Sequence, residues 1–397
     1  MTPFTPVRTT LAVAGVWAAA AGTWLVAGSA LPGGRWLAVH LFTLGVLTNL
    51  LADLMRHFAA TLLHVRDDGG PHLWRIAARN AGVLLVLTGR VSAVPWLVAA
   101  GATVVSAEVL LGWRDVRRMR RRALPARHAP VVRAYQRAYG AFLHAALLGA
   151  LLGTGVLPGR WYANVRLAHL HVALLGWAGV PVLATLVFLG PTLLRARVAD
   201  GADGRARRLL PVAAYGVTAA SFALLLGLRP VAAIGVAAFA WAATVLCWDV
   251  VRLRGAAPNS ALAVALGWLV LAAWADAALL ALDATAYLDA VGALALVGGL
   301  APVVVAAAGY IWAMSAGADV AARTARLGAV ARWATVRAVL WHGGTALLAT
   351  ALLSRALDVP LPGALSARTA LLAVVLSAAL SAVSVATTAA RRRPRFS

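Results

Sequence analysis

The chain has 397 residues, 62% of them hydrophobic and only 12% charged, and its mean hydropathy of +0.83 excludes an ordinary soluble globular protein. The formal charge of +23 is carried by arginine alone, in short stretches between apolar runs, so nucleic-acid binding is excluded as its meaning. The lone Cys247 excludes an internal disulfide and a cysteine-cluster metal site, and four methionines offer little for a thioether copper relay.

Apolar runs long enough to cross a bilayer predict an all-α, polytopic transmembrane bundle. Twelve spans are expected, at about 9–31, 36–64, 74–89, 92–113, 133–157, 165–194, 208–228, 230–251, 259–283, 287–314, 333–357 and 365–390. The first run is long and has no processing site, so it reads as a span and not a cleavable signal. The third is short and carries Arg79 and Asn80 near its start. Pro and Gly mark the joins at Pro32-Gly33-Gly34, Pro158-Gly159, Arg229-Pro230 and Pro360 to Gly363.

With the N-terminus inside, only Arg35, Arg90, Arg160, Arg166, Arg229, Arg355 and Arg368 of the 36 arginines fall on the outer side. That asymmetry predicts both termini in the cytoplasm, in a cell (inner) membrane, with the basic runs touching anionic headgroups. Trp36, Trp113, Trp161 and Trp333 read as interfacial anchors. The chain is expected to form one transmembrane domain over 1–397. Its parts are a His-rich half at 1–195 (spans 1–6), a His-poor half at 208–390 (spans 7–12) and a basic cytoplasmic tail at 391–397. Eight of the nine histidines lie at or before His171, and the ninth is His342. No short internal repeat is visible.

His40 stands about one turn into span 2, and His169 and His171 at a similar depth in span 6. Both spans run from outside to inside, so the three rings are expected at one level near the outer face. Imidazoles from two helices at matched depth are what axial haem ligation or a histidine copper site needs. His169 and His171 point roughly 200° apart on an ideal helix, so one of them at most faces His40. His171 is favoured, because Leu175, Ala178, Val182 and Thr185 continue its stripe into the bundle. The competing reading makes each an outer-end histidine bonded to a carbonyl or headgroup.

Farther along span 2, Asn49, Asp53, His57, Thr61 and His64 form one polar stripe. Asn49, Asp53 and His57 are candidates for a proton path or a hydrogen-bonded shell behind a deeper site, against the alternative of a satisfied interhelical contact. His64 and His72 read as interfacial, and His144 and His342 as core histidines bonded to neighbouring hydroxyls. Asp276 is a candidate counter-ion for Arg229 or Arg355, while Asp249 with Arg252 and Asp358 with Arg355 read as terminal ion pairs. No Walker loop, HExxH, Cys-x-x-Cys or two-histidine-per-helix cytochrome b pattern is present.

The segment His169-Leu-His171-x-x-Leu174-Leu175-Gly176-Trp177, followed by Gly179 and Gly190-Pro191, resembles a motif of the haem–copper oxidase-like membrane proteins. That group includes the NnrS-type nitric-oxide-response proteins. His40-Leu-Phe-x-x-Gly45 and Arg56-His57-Phe58 strengthen the likeness. In span count and orientation the whole chain resembles the twelve-span region that precedes the copper-binding domains of actinobacterial multicopper oxidases or nitrite-reductase-like proteins. The resemblance implies haem or copper near the outer face, with His40 and His171 as inherited ligands and a copper-oxidase or electron-transfer partner. It does not imply oxidase activity, since the paired histidines of the oxidase seventh span and a cupredoxin cysteine cluster have no counterpart here. The expected function is therefore a haem- or copper-binding redox or sensing module in the lipid bilayer. The alternatives are a two-halved secondary transporter or a non-catalytic anchor for a copper oxidase.

Overall fold

A computed structural model describes residues 5–67, 72–124, 127–253, 260–316, 319–362 and 366–390. The expected tail at 391–397 lies outside them. Helices α1 to α5 are Thr5–Ala27, Gly34–Leu63, His72–Val91, Pro95–Arg122 and Ala129–Thr154. They continue as α6 (Gly159–Leu194), α7 (Ala202–Leu225), α8 (Arg229–Val251), α9 (Ser260–Ala281) and α10 (Thr285–Met314). The last three are the short α11 (Val320–Ala331), α12 (Ala334–Ala356) and α13 (Ala367–Ala390). No strand occurs among the described residues. The chain is an all-α helical bundle with helices at all twelve expected spans, and ten of them are long and apolar enough to cross a membrane. The two that miss are α3 and α5, which carry arginines inside their length.

Local chemistry sets the boundaries. Proline opens α4, α5 and α8 at its first or second position, where the missing N–H costs nothing. Left-handed residues close several helices, among them His64 at φ 54°, Gly155 at φ 72° and Gly227 at φ 74°. The two ends of the bundle carry different contacts. At the arginine-poor end Arg35 pairs with Asp289, Arg229 with Asp283, and Arg90 lies over the Trp36 ring. At the arginine-rich end Arg127 pairs with Asp203 and Arg205 with Asp249.

The architecture repeats every four spans. Helices α2, α6 and α10 each contain a π-helical segment, at Leu41–Leu47, Val172–Gly179 and Leu294–Leu300. The residues at these places align as His40-Leu-Phe-Thr-Leu-Gly45, His171-Val-Ala-Leu-Leu-Gly176 and Ala293-Leu-Ala-Leu-Val-Gly298. Each segment packs against the helix before it, α1, α5 or α9. The aligned glycine admits that helix closely: a Cβ on Gly45 would meet the Trp17 ring, one on Gly176 the Ala141 methyl, and one on Gly298 the Trp268 ring, none farther than 2.9 Å. The third and fourth spans of each unit also cross on small residues, Gly82 with Gly101, Gly216 with Gly235, and Gly344 with the Ala370 carbonyl. Between apolar helices in lipid there is no water to expel, so close backbone packing of this kind supplies the attraction. The sequence conceals this repeat because it survives in only two or three positions per unit.

Candidate functional site

Span 2 delivers His40 to the last turn before its π segment, where the ring stacks on Trp36 at 4.1 Å between centroids. Its Nδ1 lies 2.8 Å from the Trp36 carbonyl. A carbonyl only accepts, so Nδ1 is the protonated nitrogen and Nε2 keeps its lone pair. On α6, His169 is held in the same way, with Nδ1 donating to the Ala145 carbonyl of α5 at 2.9 Å. The two rings lie in nearly parallel planes across the α2–α6 gap, with centroids 6.4 Å apart and planes within 6°. Both are half-buried.

The histidine that meets His40 is therefore His169, and the preference for His171 is reversed. His171 does follow its stripe into the bundle, where it is 5% exposed, but it meets a different partner there. Its Nδ1 donates to the Leu167 carbonyl at 2.7 Å and its Nε2 lies 3.0 Å from Asp276 Oδ1 on α9. Both ring nitrogens are engaged, which leaves His171 no lone pair to offer a metal. Asp276, expected to serve Arg229 or Arg355, serves His171 instead.

The four-span period accounts for the difference. Asp276 stands eight residues after Trp268 on α9, and the matching position eight after Ala141 on α5 is Gly149. A Cβ there would lie 2.9 Å from His169 Cε1, so the missing side chain makes room for the His169 ring. One junction between units thus carries two imidazoles, and the next carries an imidazole and a carboxylate.

Asn49 and Asp53 of the α2 polar stripe belong to a buried ion network, whereas Thr61 and His64 are exposed. Asn49 and Asn80 exchange side-chain amide hydrogen bonds at 3.1 and 3.0 Å, and Trp17 Nε1 donates to Asn80 as well. Asp53 accepts from Arg79 Nη2 at 2.7 Å and from the Thr10 hydroxyl at 2.6 Å. Glu108 on α4 holds Arg79 Nε at 2.8 Å and Arg75 Nε at 3.0 Å. Arg75 continues to Asp115 at 2.6 Å, and Arg56 binds both oxygens of Asp67 at 3.0 Å. Arg56, Arg75 and Arg79 are at most 2% exposed, so these arginines are bundle core and not orientation signals. His57 lies beside this network, with its ring 5.7 Å from that of Phe58.

Sequence reasoning missed Arg75, Glu108 and Asp115 altogether. Their signal was available, since Arg75 and Arg79 are one turn apart on α3 and Glu108 and Asp115 two turns apart on α4. Elsewhere His144 stacks on Phe222 at 5.1 Å, and His342 bonds the Ala261 carbonyl at 3.1 Å instead of a hydroxyl. Asp249 pairs with Arg252 as expected and with Arg205 in addition. Asp358 and Arg355 meet through their backbones, with no side-chain ion pair between them.

Among the described residues no group of three or more His, Cys, Asp or Glu side chains converges as a metal site. The His40–His169 pair holds two Nε2 atoms with lone pairs free, one on each ring. Two imidazoles that turn their ring edges to one metal from opposite sides, with bonds of about 2.0 Å, have ring centres roughly 6 Å apart, and the His40 and His169 centroids are 6.4 Å apart in parallel planes. Such a donor set suits haem, which brings its own equatorial nitrogens, or cuprous copper, which accepts few ligands. No family model matches this chain, and no curated protein matches it.

Proposed function

We propose that this polytopic membrane protein is a redox or metal-sensing module that binds haem or copper between α2 and α6 through His40 and His169. The observation that carries the reading is the adjacent, parallel pair of imidazoles, each with Nδ1 tied to a main-chain carbonyl. That tie fixes the ring and directs the Nε2 lone pair to a ligand role, the arrangement that metal-binding histidines use. Gly149 clears the space for one ring, and Trp36 braces the other. A haem or copper ion held there would carry one electron at a time near the arginine-poor end. The resemblance to haem–copper oxidase-like and NnrS-like proteins points the same way, and with it a copper-handling or electron-transfer partner.

Absorption spectra and elemental analysis of the purified protein test this reading. A Soret band or stoichiometric copper is expected in the wild type and lost in His40→Ala and His169→Ala, while His171→Ala retains it. Neither haem nor copper in protein from supplemented cells would overturn the proposal.

A further inference from the structure

A groove of about 590 Å³ runs between α9, α10 and α12 and opens on the side of the bundle. Its walls are apolar, with Ala275 and Ala278 of α9 and Ala346 and Ala349 of α12 among them. Tyr287 stands at the arginine-poor mouth of the groove, and Trp268 lines its deep end. Trp268 is eight residues past the start of α9, which places it about 12 Å into a hydrocarbon core about 30 Å thick. The Trp268 Nε1 is buried and has no hydrogen-bond partner. The four-span period explains why. Trp268 matches Trp17, since each meets the aligned glycine of its unit, and His342 matches Asn80, two residues before Gly344 and Gly82 respectively. In the first unit Trp17 Nε1 donates to Asn80 Oδ1. In the third, His342 Nε2 donates to the Ala261 carbonyl at 3.1 Å, and Trp268 Nε1 and His342 Nδ1 both stay unpaired.

The bilayer core offers no water to such an N–H, so its acceptor must come from a molecule dissolved in the hydrocarbon. A phospholipid does not supply one, because its oxygens stay at headgroup level and only its chain ends reach the depth of Trp268. We infer that the groove binds a membrane-soluble quinone, with a ring carbonyl accepting from Trp268 Nε1 and the flat ring lying against the alanine walls. The tail leaves through the lateral opening into lipid. A concave apolar site of this size with a single well-placed donor suits a ligand of that kind. Binding there is independent of what His40 and His169 hold.

Native mass spectrometry of the intact protein in neutral detergent, titrated with decylubiquinone, tests the site. Decylbenzene, which has the tail without the carbonyls, and phosphatidylglycerol are the comparison ligands. Decylubiquinone is expected to bind saturably, one molecule per chain. Trp268→Phe keeps a ring but removes the N–H and should weaken binding about tenfold, the worth of one neutral hydrogen bond. Trp274→Phe removes an indole N–H of the same helix that bonds Thr244 outside the groove, and should leave binding unchanged. Ala349→Leu fills the groove and should abolish binding. Thermal unfolding establishes that each variant folds, and Ala349→Val replaces Ala349→Leu if the latter does not. Binding by Trp268→Phe as tight as by wild type would overturn the proposal, as would decylbenzene or phosphatidylglycerol binding as tightly as the quinone. A dimer in solution that Ala349→Leu splits would give the groove to a second copy and overturn it too. Haem and copper content does not enter the readout, so failure here leaves the His40–His169 reading untouched.

Discussion

Replacing Glu108 with alanine removes the one carboxylate that both buried arginines of α3 share. Arg79 loses contacts at 2.8 and 3.3 Å and Arg75 loses one at 3.0 Å, while Arg79 keeps Asp53 and Arg75 keeps Asp115. Arg75 and Arg79 are 1% and 0% exposed, so water does not replace what is lost. Breaking a buried pair by deleting one partner costs about 3–5 kcal/mol, and Glu108→Ala is expected in that range. Glu108→Gln keeps one acceptor oxygen and should cost roughly half as much. Asp289→Ala supplies the contrast, because the Arg35–Asp289 pair is 60% and 50% exposed and such pairs contribute about 0–1 kcal/mol. Reversible unfolding in mixed micelles with increasing dodecyl sulfate, followed by circular dichroism, gives the three differences. If Glu108→Ala falls within about 1 kcal/mol of wild type, or costs no more than Asp289→Ala, the network is not a keystone of the first unit.

Gly149→Ala should displace the His169 ring and lower haem or copper content as far as His169→Ala does; Gly140→Ala on the same helix, where an added Cβ meets nothing within 4 Å, should leave it unchanged. Asp276→Ala strands the buried His171 and should destabilise the protein by about 1–3 kcal/mol while the absorption spectrum of bound cofactor stays as in wild type. Gly216→Leu forces α7 from α8 at a backbone contact and should reduce the folded fraction on size-exclusion chromatography, whereas Gly267→Leu, facing open space, should not.

Composition and span length were enough to read the helical class, because a bilayer admits few other architectures for so apolar a chain. The level shared by His40 and His169 was legible too, since 1.5 Å per residue converts sequence position to depth. The choice between His169 and His171 was not. It depends on what stands across the gap, Gly149 on α5 or Asp276 on α9, and neither is local to α6 in sequence. The arginines of α3 misled for a related reason. In isolation they read as breaks in a weak span, and only their neighbours Asp53 on α2 and Glu108 on α4 turn them into core. The π segments compound the difficulty, because each inserts a turn wider than the ideal helix and rotates the residues beyond it away from the face their spacing predicts.

The exchange of Gly149 for Asp276 between successive junctions has a practical corollary. A single carboxymethyl group separates a place where two imidazole lone pairs stand unclaimed from one where both nitrogens of the imidazole are spoken for. Grafting Asp at position 149, together with removal of the ring at 169, would rewrite the first junction in the vocabulary of the second. What each junction offers is then set by side chains that can be swapped rung for rung, with the helices beneath them left as they are.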